Sequence, residues 1–227
     1  MATEQLPTRV LVIDDHPLFR KGVADLLALE PNLQLVGEAA DGQEGVRLAA
    51  LLRPDLILLD LNMKGWDGIE TLRRIRSASV AEPGAPSLTH EARILMLTVS
   101  DQESDVVGAL RAGADGYLLK DMEPEDILEQ LREAMRGRLV ISPQLTDLIA
   151  RALRSHQGPL HLSEAGLTQR EQEVLELLAK GYSNKLIARE LDLAVGTVKV
   201  HVKHLLKKLG LHSRVEAAVW SLNARGG

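Results

Sequence analysis

The chain of 227 residues has no cysteine and few aromatics, with one Phe, two Tyr and two Trp. The first absence excludes a disulfide framework, a cysteine-ligated zinc site and thiol catalysis, and it suits a reducing compartment. The second means that any core is built from Leu, Ile, Val and Ala. No apolar run approaches the ~20 residues that span a bilayer. The opening Met1-Ala2-Thr3-Glu4 lacks the basic-then-apolar order of a secretion signal. A cytoplasmic protein with no membrane partner is expected. What is present, 45% hydrophobic and 26% charged residues, is ordinary for a globular chain.

The net charge of −5 conceals an asymmetry. From Gly166 onward ten Lys and Arg face six Asp and Glu, a balance of +4, and residues 1–165 hold 17 against 26, a balance of −9. An acidic front and a basic back imply two domains with different partners, the second suited to nucleic acid.

Within the front part, β-branched or aliphatic runs alternate with amphipathic stretches. Strands are expected at residues 9–13, 33–39, 56–59, 94–99 and 116–119, and helices at about 17–30, 42–52, 68–76, 103–111 and 124–136. Five alternations predict an α/β fold with a five-stranded parallel, doubly wound, flavodoxin-like sheet. The run Leu56-Ile57-Leu58-Leu59 is apolar throughout, as a central strand covered on both faces should be, and it ends on Asp60.

Ligands of such sheets bind at the carboxyl ends of the strands. This topology collects Asp14 and Asp15 after the first strand, Asp60 after the third, Thr98 at the end of the fourth and Lys120 after the fifth. Carboxylates about 4 Å apart repel by roughly 4 kcal/mol per pair at an effective dielectric of ~20, so they call for a cation. An all-oxygen set with room for water and a phosphate oxygen matches Mg²⁺, and the backbone carbonyl of Asn62 offers a further ligand. Lys120 and the Thr98 hydroxyl are placed to meet a phosphoryl group.

Asp14-Asp15, Asp60, Thr98, Tyr117 and Lys120, in that order and on those strands, resemble the receiver domain of two-component response regulators. The resemblance covers residues 8–136. It implies that Asp60 accepts a phosphoryl group from a sensor histidine kinase, that Asp14 and Asp15 hold Mg²⁺, and that Thr98 and Tyr117 form a switch, Tyr117 turning inward as Thr98 moves. Two departures stand out. Lys64 occupies the position where the family usually has Pro, and residues 77–91 make a connection longer than usual.

After residue 136, Ser142-Pro143 marks the start of a short helix to about residue 154, and residues 155–165 have the composition of a linker. The expected division is a receiver at 1–136, a linker with a short helix at 137–165 and an all-α helix-turn-helix domain at 166–227. In the last, Thr168 and Glu171 form a capping box, and helices are expected to residue 180, from Ser183 to about 191, at 195–209 and from Ser213 to about 223. The third helix turns Val198, Val202, Leu205 and Leu209 to the core, and Lys199, Val200, Lys203 and Lys207 outward. Lysines around an exposed aliphatic suit a DNA major groove, where they reach phosphates or guanine and the aliphatic meets a thymine methyl.

Residues 168–220 resemble the LuxR-type DNA-binding domain. The stretch Thr197-Val198-Lys199-Val200-His201-Val202-Lys203-His204 is similar to the recognition helix of nitrate/nitrite regulators in that family. The resemblance implies a transcription regulator, not an enzyme, in which Lys199, Val200 and Lys203 meet bases and nearby phosphates while the last helix pairs two domains as a homodimer on an inverted repeat of double-stranded DNA. It implies too that the unphosphorylated receiver covers the recognition helix and that phosphorylation releases it. A phosphohydrolase of the haloacid dehalogenase type also places an Asp after an apolar strand, but needs an acid two residues on, where Asn62 stands.

Overall fold

The computed structural model describes residues 6–78, 92–100, 102–142, 145–146, 148–149, 151 and 165–224. The front domain runs β1 (Thr8–Ile13), α1 (Pro17–Leu27), β2 (Leu33–Ala39), α2 (Gly42–Leu52), β3 (Leu56–Leu59), α3 (Gly68–Ala78), β4 (Arg93–Thr98), α4 (Glu103–Arg111), β5 (Gly116–Leu119), α5 (Pro124–Met135) and β6 (Val140–Ile141). The sheet is parallel throughout, in the order β2-β1-β3-β4-β5-β6. It therefore has six strands where five were expected. The sixth is two residues long, too short to show a period, and it becomes a strand by pairing Val140 and Ile141 with Gly116 and Tyr117 of β5.

Period-two alternation sends neighbouring residues of each strand to opposite faces. Leu11, Ile13, Ile57, Leu59, Ile94 and Met96 enter one buried cluster, and Val10, Val12, Leu56, Leu58, Leu95 and Leu97 enter the other. Helices cover both faces, which is why these strands contain no polar alternation. The strand order reverses between β1 and β3, so their carboxyl ends flank the crevice in which an open α/β sheet binds its ligand.

The connection at residues 77–91 lies mostly outside the described residues. Of the helix expected after Ser142, residues 145–146, 148–149 and 151 are helical, and the Ser142 hydroxyl is buried without a hydrogen-bond partner.

The back domain consists of α6 (Gln169–Ala179), α7 (Asn184–Glu190), α8 (Val195–Leu209) and α9 (Arg214–Ala224) around a core of their own. The capping box forms as expected. Thr168 Oγ1 accepts from the Glu171 amide, and Glu171 accepts from that of Thr168. Lys208 Nζ, 2.6 Å from Glu171 Oε2, ties α8 to this start of α6. Burial works against the Glu171 carboxylate, but the hydrogen bonds from Lys208 and Thr168 hold it below its ordinary range. Ser183 caps α7 through the Leu186 amide, whereas Ala194 gives α8 no side-chain cap.

The two domains touch through main chain. The Leu139 amide donates to the Gly181 carbonyl and the Ser183 amide to the Gly137 carbonyl, both at 2.7 Å. Gly137 has φ of +81°, and a Cβ there would lie 2.8 Å from Ser183 Oγ, so a side chain would both strain the turn and force the contact apart. Val215 and Val219 of α9 join the buried cluster of the receiver beside Leu145, Leu148 and Ile149. Arg111 Nε of α4 lies 3.5 Å from Glu216 Oε1. Asp115 sits at the same junction, bonded to Arg76 and the Ile94 amide. Burial alone would raise its carboxyl, but Arg76, Arg214 and Arg93 outweigh that and hold it below the ordinary value. Burial, with repulsion from Arg214, pushes Arg93 down to about 10.

Candidate functional site

The end of β1 delivers Asp14 and Asp15, the end of β3 delivers Asp60, and Lys120 follows β5; parallel register brings all four to one crevice. Asp14 and Asp60 are each 2% exposed. Lys120 Nζ lies 2.6 Å from Asp14 Oδ2 and 2.9 Å from Asp60 Oδ2, so one ammonium is shared by two buried carboxylates. The other oxygens are held by main chain. Asp14 Oδ1 accepts from the His16 amide at 2.8 Å, Asp60 Oδ1 from the Leu61 amide at 2.8 Å and Asp15 Oδ2 from the Lys64 amide at 3.2 Å. Asp15 Oδ1 and Asp60 Oδ2 are buried without an aligned hydrogen bond. Each group can present a ligand atom within 4.8 Å of the others. Three carboxylates turned into one crevice and offset by a single ammonium fit a hard divalent cation.

The loop after β3 is closed by Gly68, whose amide donates to the Leu61 carbonyl at 2.8 Å. A Cβ at that position would stand 2.3 Å from the Asp60 carbonyl oxygen. Glycine is thus required where α3 begins against the backbone of Asp60. Asn62 is exposed on this loop, and Lys64 presents its amide to Asp15 with its residue otherwise exposed.

Thr98 is fully buried, and its Oγ1 accepts from the Ser100 amide at 3.3 Å. Tyr117 was expected to turn inward as part of a switch. It is already inside, fully buried, with its hydroxyl donating to the Ser100 carbonyl at 3.0 Å. Thr98 and Tyr117 thus fasten the same β4–α4 turn. Two further residues had no signal in the sequence. The ring of Phe19 on α1 faces Lys120 Nζ at 4.4 Å, and the His16 imidazole points back into the carboxylates. His16 stands at the N-cap of α1 and Phe19 lies on its first turn.

On the back domain, Val198, Leu205 and Leu209 are buried and Val202 half-buried, as the helical period required. Val200 is 51% exposed, Lys203 and Lys207 are exposed, and Lys199 is half-buried at the margin. Lys199, Lys203 and Lys207 line a groove with Asn184 and His212, which periodicity on α8 alone could not reveal. Among the described residues the receiver meets the α6–α7 turn and α9, while Val200, Lys203 and Lys207 of α8, the helix expected to be covered, are exposed.

Residues 10–132 match the response regulator receiver domain, and residues 165–221 match the bacterial regulatory proteins of the luxR family. The chain is a LuxR-family response regulator. It is 50% identical over 218 residues to the nitrate/nitrite response regulator protein NarL of Escherichia coli, with 96% of each chain covered. It is 44% identical to the nitrate/nitrite response regulator protein NarP of the same species, with 98% of each covered. Among solved structures, the receiver domain of the putative response regulator NarL from Mycobacterium tuberculosis is 36% identical, with a TM-score of 0.52, covering 59% of this chain and all of that one. A response regulator of this architecture pairs an acidic receiver with a DNA-binding domain, and the charge asymmetry of the two halves follows from that division. Among the described residues of this response regulator, no helix is long and apolar enough to cross a membrane.

Proposed function

We propose that phosphoryl transfer from a sensor histidine kinase to Asp60 controls how the C-terminal domain engages DNA as a dimer. The observation that carries this reading is the Asp60 carboxylate itself, buried at the carboxyl edge of β3 with Oδ1 held by an amide and Oδ2 turned toward Lys120. In-line attack by Oδ2 on a phosphohistidine forms a P–O bond and breaks the P–N bond, and the departing imidazole nitrogen takes a proton from water. The Lys120 ammonium faces the oxygens on which negative charge collects, and the Thr98 hydroxyl donates to one of them. Asp14, Asp15, Asp60 and the Asn62 carbonyl would hold Mg²⁺, which when bound neutralises charge on the phosphoryl oxygens. Thr98 and Tyr117 meet at Ser100, so a pull on the Thr98 hydroxyl is felt by the β4–α4 turn.

The receiver restrains the back domain through α9. With Val215 and Val219 buried against the receiver, that helix is closed to a second copy, although Val200, Lys203 and Lys207 stand exposed to a major groove with Lys199 at their margin. Phosphorylation would loosen the contact and free α9 to pair two domains on an inverted repeat. The kinship with regulators named for nitrate and nitrite supports genes of nitrate and nitrite respiration as the targets, in the cytoplasm. The protein acts as a regulator without turnover chemistry of its own.

The decisive experiment treats the protein with Mg²⁺ and a small phosphodonor. Intact mass should rise by one phosphoryl group in the wild type and not in Asp60→Asn, and operator binding should follow the mass. The inward Tyr117 and the open basic face favour a second reading, DNA binding independent of phosphate. Equal operator affinity with and without phosphodonor would select it.

A further inference from the structure

The phosphorylation reading leaves the imidazole of His16 at the receiver crevice without a task. His16 is the N-cap residue of α1, yet its side chain makes no cap hydrogen bond. Its amide, bonded to Asp14 Oδ1, holds the main chain while the ring turns back over the carboxylates. Nδ1 lies 3.0 Å from Asp15 Oδ1, 3.4 Å from Asp14 Oδ1 and 3.9 Å from Asp60 Oδ2. Two of these neighbours, Asp15 Oδ1 and Asp60 Oδ2, are the oxygens left without an aligned hydrogen bond. Nitrogen and carboxylate oxygens all fall within 4.8 Å of one another, which is the spread of donors around one ion.

We propose that His16 is a direct ligand of the divalent cation at this site, so that the crevice favours first-row divalent ions, which accept an imidazole nitrogen, over Mg²⁺, with Mn²⁺, the weakest binder of that series, as the probe that reads the bond. The inference rests on the cation site of the preceding section and adds a donor to it. Carboxylates, carbonyls and water form the oxygen set natural to Mg²⁺, and a neutral imidazole adds little for that ion. For the later first-row divalent ions imidazole is a favoured ligand, and affinity rises along that series. The side chain of His16 is 66% exposed on its solvent side, so Nδ1 can approach an ion without repacking the core. If the ring served only as a counter-ion to the acids, an arriving cation would displace it and no metal–nitrogen bond would form.

The test uses the full chain loaded with Mn²⁺ alone at about pH 8, where a free imidazole is neutral. Pulsed electron paramagnetic resonance reads nitrogen bound to manganese without reference to phosphorylation. The wild type should show ¹⁴N modulation, and His16→Ala should abolish it and weaken Mn²⁺ binding about tenfold, a loss typical of a disturbed metal shell. Mg²⁺ affinity, measured by its displacement of Mn²⁺, should change much less. Manganese that binds but shows no nitrogen, or a His16→Ala variant that weakens both ions equally, overturns the proposal and leaves the cation site standing. Manganese uptake that is insensitive to Asp14→Asn and Asp60→Asn overturns the cation site as well.

Discussion

Lys120 and Lys203 carry the same charge in opposite surroundings. The Lys120 side chain is 8% exposed and lies between two carboxylates that are buried further still, while Lys203 stands in solvent on the outer face of α8. A charge inside the protein is useful only as part of a closed set, because removing it strands its partners in a medium that solvates them poorly. A surface charge needs no internal partner and is screened within ~8 Å at physiological salt. The receiver therefore stores its chemistry in a fixed arrangement of buried groups, and the DNA-binding domain keeps its own in an exposed pattern read by whatever polyanion arrives.

That contrast can be broken most severely at Lys120. Lys120→Ala should destabilise the receiver by about 3 kcal/mol, since Asp14 and Asp60 then face each other without a cation, and should suppress phosphoryl uptake; urea unfolding and intact mass read the two losses. A midpoint that does not move would mean that the acids relax or protonate freely, and the crevice would be softer than its burial implies. Next in size is the seam between domains. Gly137→Ala alters only the receiver side, yet its Cβ would press on Ser183 and break the backbone pairing there. Unphosphorylated protein should then bind operator DNA roughly tenfold more tightly, the equivalent of one or two hydrogen bonds released. Unchanged affinity in a gel-shift titration would show that the seam does not restrain binding.

Smaller effects sharpen the exposed side. Lys203→Ala should lower operator affinity by about 1 kcal/mol and reduce the slope of log affinity against log salt by about 1, leaving phosphoryl uptake at the wild-type level. A loss of phosphorylation in that variant would mean that the two charged regions are not independent. Smallest is Ala194→Ser, which supplies the missing cap of α8 and should stabilise the back domain by about 0.5–1 kcal/mol in thermal unfolding.

Much of this was visible along the chain, and the reasons differ from place to place. The apolar run 56–59 announces a doubly covered strand because each neighbouring residue must enter a different core, as Ile57 and Leu58 do. The capping box at Thr168 and the glycine-terminated α8 are local events, settled within one helical turn. The sixth strand was hidden because two residues carry no period, and its existence depends on β5 being there to pair with. Phe19 was hidden because its partner, Lys120, lies far along the chain, and His16 because its rotamer, not its position beside Asp14 and Asp15, turns it over the carboxylates.

The sequence by itself determined the alternation of strands and helices, the two-domain division and the convergence of Asp14, Asp15, Asp60 and Lys120, since parallel strands with covered faces leave their carboxyl ends no other place to meet. Tertiary structure alone decided that Tyr117 lies inside, that His16 closes over the carboxylates and that the receiver rests on α9. Each of these depends on which rotamer packs or which backbone groups of distant segments find one another. The pairing of residues 137–139 with 181–183 uses main-chain atoms that every sequence shares, so no pattern of side chains could have foretold it.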